Sequence, residues 1–184
     1  KKKKKGDGLV IGITGGEDAI IWNQENTSIQ FATNNTERLH ITGIGSVGIG
    51  TTNPDQSLEV FKATGINLVK VSTEANSTVG FEIEKTGDTT QSWRIADGQT
   101  GNGKLEFHDV TDSATRMCID GDGRIGIGTI NPQEELHISA DTPVLRFTDS
   151  STNRNAQFVC IDGSLRIDAD NDNAQSSTNI AFRT

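Results

Sequence analysis

Few residues of this 184-residue chain have the types and spacing that chemistry requires. Asp168-Ala-Asp170-Asn-Asp172-Asn173 sets carboxylates at alternate positions, where they could converge on one hard cation such as calcium. An EF-hand loop has Gly at its sixth position and a bidentate Glu at its twelfth, and here those positions hold Asn173 and Asn179. A solvated acidic turn is the simpler reading, which leaves Asp168, Asp170 and Asp172 as a weak metal candidate. Gly43-x-Gly45-x-x-Gly48 and Gly121-x-Gly123-x-x-Gly126 match the dinucleotide fingerprint literally. That fingerprint needs a strand before it and a helix opening from it. In both places an alternating strand pattern follows and then a proline, so the glycines read as hairpin turns. No cofactor is expected.

The remaining reactive residues read as structural. His40, His108 and His137 fall at strand positions, and Cys118 and Glu59 stand where His40 and His137 recur in the paired copy of the repeat. Glu82/Glu84 and Glu134/Glu135 could pair as the acid and base of a glycosidase, but nothing separates them from carboxylates on exposed strands and turns. Trp22 and Trp93 could stack on sugars, yet at strand positions they read as core anchors. Asn26, Asn34 and Asn76 open glycosylation sequons. Cys118 and Cys160 lie inside the apolar triplets Met117–Ile119 and Val159–Ile161, without metal or redox spacing, and read as small buried hydrophobes. The expectation is that the chain is not an enzyme and holds no catalytic residue.

The elements carrying these residues repeat. Arg38-Leu-His-Ile-Thr-Gly-Ile-Gly-Ser-Val-Gly-Ile-Gly-Thr-Thr-Asn-Pro54 returns as Arg116-Met-Cys-Ile-Asp-Gly-Asp-Gly-Arg-Ile-Gly-Ile-Gly-Thr-Ile-Asn-Pro132, 78 positions on. The register holds through Leu58/Leu136 and Val60/Ile138, while Ile29-Gln-Phe31 matches Leu105-Glu-Phe107 at an offset of 76. Val69-Lys-Val71 has a counterpart in Leu145-Arg-Phe147, and Ile180-Ala-Phe182 begins a third copy. The expected organisation is a lysine tag or unassigned run over 1–5, a first repeat over 6–61, a second over 62–139, and the truncated start of a third over 140–184. The whole reads as a fragment of a longer repeating protein.

Within each unit the apolar residues alternate: Leu39 and Ile41, Val47 and Ile49, Met117 and Ile119, Ile125 and Ile127, Leu165 and Ile167. Period two over short runs marks half-buried strands. The intervening Thr-Gly-Ile-Gly-Ser and Asp-Gly-Asp-Gly supply hairpin turns, so Arg38–Gly50 and Arg116–Gly128 are predicted β-hairpins. Asn53 and Asn131 could cap, and Pro54 and Pro132 open, at most one helical turn. No segment sustains a 3.6-residue apolar stripe. The fold class is all-β, built from repeated short-strand and hairpin units.

Composition makes such a chain hard to stabilise alone. Hydrophobic residues are 32%, aromatics 5%, Tyr is absent, and Gly occurs 20 times. Ordering the backbone costs roughly 1–2 kcal/mol per residue, and a chain this polar has little apolar surface to set against that. The regular apolar triplets argue against disorder, which leaves a core shared with other copies. The net charge is −8, and it is more negative still without the Lys1–Lys5 run. Such a surface repels phosphate backbones, so nucleic acid is not an expected partner. No apolar run approaches the roughly 20 residues of a membrane span, and no membrane insertion is expected.

The string Val47-Gly-Ile-Gly-Thr-Thr-Asn-Pro54, with Arg38-Leu-x-Ile41 before it and Leu58-x-Val60 after it, resembles a motif of bacteriophage tail-fibre and tailspike-like proteins. In that family it often lies upstream of an intramolecular chaperone domain. Ile125–Pro132 is similar, with Ile130 in place of the second Thr, and the resemblance covers roughly residues 29–184. It implies an elongated, intertwined homotrimer located on the virion and outside the cell. Its partners would be its own copies, other tail or baseplate proteins, and a glycan or protein receptor on the host surface. Gly48, Ile49, Gly50, Asn53 and Pro54, with Gly126, Ile127, Gly128, Asn131 and Pro132, stand as the structural determinants, and the glycines would permit close approach near the fibre axis. Two other readings accompany it: a polysaccharide-depolymerising tailspike segment, and a bacterial surface adhesin or injection-system fibre.

Overall fold

A computed structural model describes residues 8–169; Lys1–Lys5, Asp170, Asp172 and Ile180–Phe182 lie outside the described residues. All regular structure among the described residues is β-strand. The chain divides into two compact units, Lys1–Lys70 and Val71–Thr184.

In the first unit β1 (Leu9–Ile13) and β2 (Ala19–Asn23) pair as a hairpin. There β3 (Ile29–Thr33), β4 (Thr36–Ile41), β5 (Val47–Ile49) and β6 (Leu58–Val60) form a four-stranded sheet in chain order. In the second unit β7 (Val79–Lys85), β8 (Gln91–Asp97), β9 (Leu105–Asp109), β10 (Ala114–Ile119), β11 (Ile125–Ile127) and β12 (Leu136–Ile138) form a six-stranded sheet, again in chain order. A three-stranded sheet follows, from β13 (Val144–Asp149), β14 (Arg154–Ile161) and β15 (Ser164–Ala169).

The sequence repeat is a repeat of register. Leu39 faces Ile49 and Ile41 faces Val47, as Met117 faces Ile127 and Ile119 faces Ile125. The predicted hairpins are therefore present, each closed by the same turn: Thr42 N–H to Ser46 O at 2.9 Å, and Asp120 N–H to Arg124 O at 3.0 Å. The ladder skips Arg38 in β4 and Arg116 in β10, the same bulge in both copies. Each bulged carbonyl accepts a hydrogen bond at 3.0 Å, from Gly50 N–H and Gly128 N–H respectively.

After the hairpin the chain does something alternation does not announce. β6 lies parallel to β5, and β12 parallel to β11. Parallel neighbours usually need a crossover of a dozen or more residues containing a helix, yet here the short 50–57 and 128–135 segments suffice. They do so by lying directly on the backbone. A Cβ at Gly48 or Gly126 would stand 2.3 Å from the carbonyl oxygen of Thr51 or Thr129. Gly50 and Gly128 take left-handed φ values of +77° and +72°, and a Cβ there would meet Phe61 O at 2.3 Å or Ser139 O at 2.2 Å. The Gly-Ile-Gly string thus fits a tight parallel crossover, and the close approach seen is to this chain's own backbone.

Three expectations change here. Pro54 and Pro132 open no helical turn; the residues after them form bends. The crossover must stay open enough for Ser57 O and Glu135 O to receive Val47 N–H and Ile125 N–H, both at 2.8 Å. The cap is also reversed, since Asn53 and Asn131 donate their backbone N–H to Thr51 Oγ1 and Thr129 Oγ1 at 3.2 Å. Cys160 is exposed, whereas Cys118 is buried as expected, and the cause lies in which face of each sheet is covered.

Candidate functional site

Residues opposite one another in a ladder share a face, so the registers assign the two faces of the six-stranded sheet. One row runs Phe81–Ile95–Phe107–Met117–Ile127–Ile138 across all six strands. A second row carries Leu105, Ile119, Ile125 and Leu136 on the same side. This face is open to solvent in the single chain: Phe81 is 51% exposed, Ile127 42% and Leu136 52%.

The opposite face is small and polar, and it is covered from β8 to β11. Its row reads Gly80–Ala96–Glu106–Cys118–Gly126–His137. Glu106 is fully buried, accepting from Thr100 N–H at 2.8 Å, Thr100 Oγ1 at 2.7 Å and Thr115 Oγ1 at 2.9 Å. Burial pushes its carboxyl up, but these three donors with His108 nearby outweigh that and hold it below the usual range. Thr115 Oγ1 also meets His108 Nδ1 at 3.0 Å. Over Cys118 lies the crossover, whose Thr129 O accepts the thiol at 3.3 Å, and Lys104 Nζ ties it down through Ile130 O at 2.6 Å and Asn131 Oδ1 at 3.1 Å.

Ion pairs stand at the strand ends on both sides of the sheet: Asp109 is on the side of Trp93 and Ile83, and Glu82 and Arg94 are on the side of His108. Arg116 bridges Asp109 at 2.9 Å and also pairs with Asp112. With Gln91 and the Asp112 N–H, Arg116 draws the Asp109 carboxyl below its ordinary value despite burial. Arg94 pairs with Glu82 at 2.6 Å; its bond and that of Ser92 lower the Glu82 carboxyl.

The other sheets repeat the inversion. In the four-stranded sheet Phe31, Leu39, Ile49 and Val60 align on one face, with Phe31 and Ile49 exposed. In the three-stranded sheet the covered residues of β14 are Asn155, Gln157 and Val159, while Leu145, Phe158 and Ile167 form an exposed row. Cys160 stands on this open side beside Leu165, which is why it is exposed. Among the described residues the buried hydrophobic side chains are three, Ala96, Cys118 and Val159, against six buried polar ones. The chain covers its polar faces and leaves its apolar faces bare.

The residues singled out by chemistry are dispersed. Trp22 and Trp93 are not buried anchors, being 58% and 38% exposed on strands whose apolar side is open. Glu82 is held by Arg94 and Ser92, and Glu134 and Glu135 lie in the exposed crossover. His40 bonds Glu37 at 2.6 Å, and His137 accepts from Gln133 N–H at 3.4 Å. Asp168 is engaged by Arg166 at 2.9 Å and Gln157 at 3.1 Å, while its two proposed partners lie outside the described residues. Among the described residues no group of three or more His, Cys, Asp or Glu is placed to hold a metal ion. Sequence reasoning missed the buried Glu106–Thr115–His108 ladder. Its one signal was Glu106 opposed to Leu105 and Phe107, the pattern of a polar outward face. No model of a known protein family matches the chain, and comparison with curated proteins finds no match either.

Proposed function

We propose that this chain is a shaft segment of a homotrimeric viral fibre, a bacteriophage tail fibre that carries a host-recognition element away from the virion. The observation that carries the reading is the bare apolar face that recurs, sheet by sheet, in the four-, six- and three-stranded sheets. Fully burying one Ile or Phe is worth about 1.5–3 kcal/mol, and contiguous exposed apolar patches of this kind mark association surfaces. A partner for such a face must present apolar rows at the same spacing, and another copy of this chain does so by construction. The likeness of Val47–Pro54 and Ile125–Pro132 to fibre repeats favours three copies around one axis.

In this reading the function is mechanical and multivalent. The shaft joins tail or baseplate proteins at one end to a host-surface glycan or protein receptor at the other. Three chains hold identical receptor-binding elements at fixed spacing, so weak contacts reinforce one another through effective concentration. Electron microscopy of the purified chain tests this. Rods of uniform width are expected, and compact round particles would contradict the proposal.

A further inference from the structure

β7 is the outer strand of the six-stranded sheet, with no strand beyond it among the described residues. It is seven residues long and carries Phe81 and Ile83 at 51% and 62% exposure. Long apolar edges are a liability that proteins cover. The neighbouring repeat indicates what covers this one. There β14 occupies the position of β7, with Phe158–Ile167 pairing as Phe81–Ile95 does, and the outer edge of β14 carries β13: Phe147 faces Ala156 and Asp149 faces Arg154. The segment that corresponds to Phe147–Asp149, 76 positions earlier, is Val71-Ser-Thr73. It forms no strand in the single chain, and Val71 is 46% exposed.

The turn that would bring it back along β7 is already closed. Asp149 accepts the Ser151 N–H at 2.9 Å, two residues on, at the β13–β14 turn. Thr73 Oγ1 likewise accepts the Ala75 N–H at 3.2 Å, two residues on. Thr73 Oγ1 and Ser77 Oγ then meet at 3.3 Å, and Ser77 N–H bonds Ala75 O at 2.8 Å. Thr73 and Ser77 thus stand as the first facing pair of a hairpin, and the next in-register pair on the same face is Val71 with Val79. That register sets Val71 on the apolar face, since Val79 belongs with Phe81 and Ile83.

We propose that Val71–Thr73 becomes a further strand on the outer edge of β7, within its own chain, when other copies cover the apolar face. The inference rests on the assembly reading above. Pairing in a lone chain would order these residues while leaving Val71 in water, so little offsets the lost conformational freedom. β13 differs in its anchoring rather than in its exposure: Val144 and Leu145, each 40% exposed, only line an open apolar cleft with Ile138, Pro143 and Phe158, but Pro143 O accepts the Cys160 N–H at 3.1 Å. That bond carries the β13–β14 ladder one residue further and holds the start of β13 in place in the single chain.

Hydrogen exchange on the purified full chain, with its mass read from the same sample by light scattering, tests this. In the assembled protein, alternate amides of 71–73 should exchange as slowly as those of Phe147–Asp149. Exchange of all of them at the rate of an unstructured peptide, in a protein that is assembled, overturns the strand and leaves the fibre reading standing. A folded monomer overturns the assembly reading, and slow exchange in that monomer overturns the coupling of strand to assembly. A Val71→Cys/Val79→Cys variant distinguishes the chain of origin by peptide mapping after oxidation. A link within one chain is expected, and a link between chains contradicts the proposal.

Discussion

Glu106 shows most sharply how this chain uses its polar residues. A buried carboxylate is costly unless it is fully bonded, and here one backbone N–H and two threonine hydroxyls bond it and fasten the loop at Thr100 to the sheet. Its folded value lies below the ordinary 4.5, so its contribution to stability is present in full above that value and is lost as pH falls through the folded one. Acid unfolding followed by circular dichroism should therefore show a limb that Glu106→Gln weakens. Asp109 and Glu82 are also depressed and keep part of it. The same substitution should lower stability near neutral pH by about 1–3 kcal/mol, the usual cost of leaving buried partners imperfectly matched. An unchanged acid limb would contradict this role. None of it was legible from residue types, because Gln30 occupies the position of Glu106 in the first copy and the alternation of Leu105 and Phe107 marks Glu106 as an outward residue.

At the scale of the element, the hairpins were legible and the crossover was not. Alternation of Leu39 with Ile41 and of Val47 with Ile49, separated by a glycine-bearing turn, fixes two paired strands and the face they share. The next strand is parallel, and the capping types of Asn53 and Asn131 before Pro54 and Pro132 pointed instead to at most one helical turn between the strands. The deciding constraint is steric. Gly128 combines a left-handed φ of +72° with a carbonyl oxygen 2.2 Å from where a Cβ would stand. Gly128→Ala should therefore destabilise the protein by about 2 kcal/mol or more, read as a lowered midpoint in thermal or denaturant unfolding. An unshifted midpoint would mean that the crossover is not so tightly packed. Sequence patterns report periodicity along one segment, whereas this contact joins Gly128 to Ser139, across the loop.

For the whole molecule, composition carried the main message: a chain with 32% hydrophobic residues has little apolar surface with which to close a core of its own. The fold adds which side is left uncovered, and it is the apolar side of successive sheets, while in the six-stranded sheet the crossover and the Thr100 loop lie on the polar side. Alternation alone gives two faces without saying which one the loops will cover; Gly126 and Cys118 decide that by leaving room for the Thr129 carbonyl. Ile127 is the fifth of the six residues of the bare row and is 42% exposed in the single chain, so Ile127→Asp should leave the strand signal in circular dichroism intact and abolish assembly. An unchanged assembly would remove Ile127 from the interface. If copies of this chain share one interior, the molar mass of the unmodified protein in solution, read by light scattering across a dilution series, reports it. A mass three times that of the 19.7-kDa chain, constant on dilution, is expected; a stable, cooperatively folded particle with the mass of one chain would rule out a shared interior.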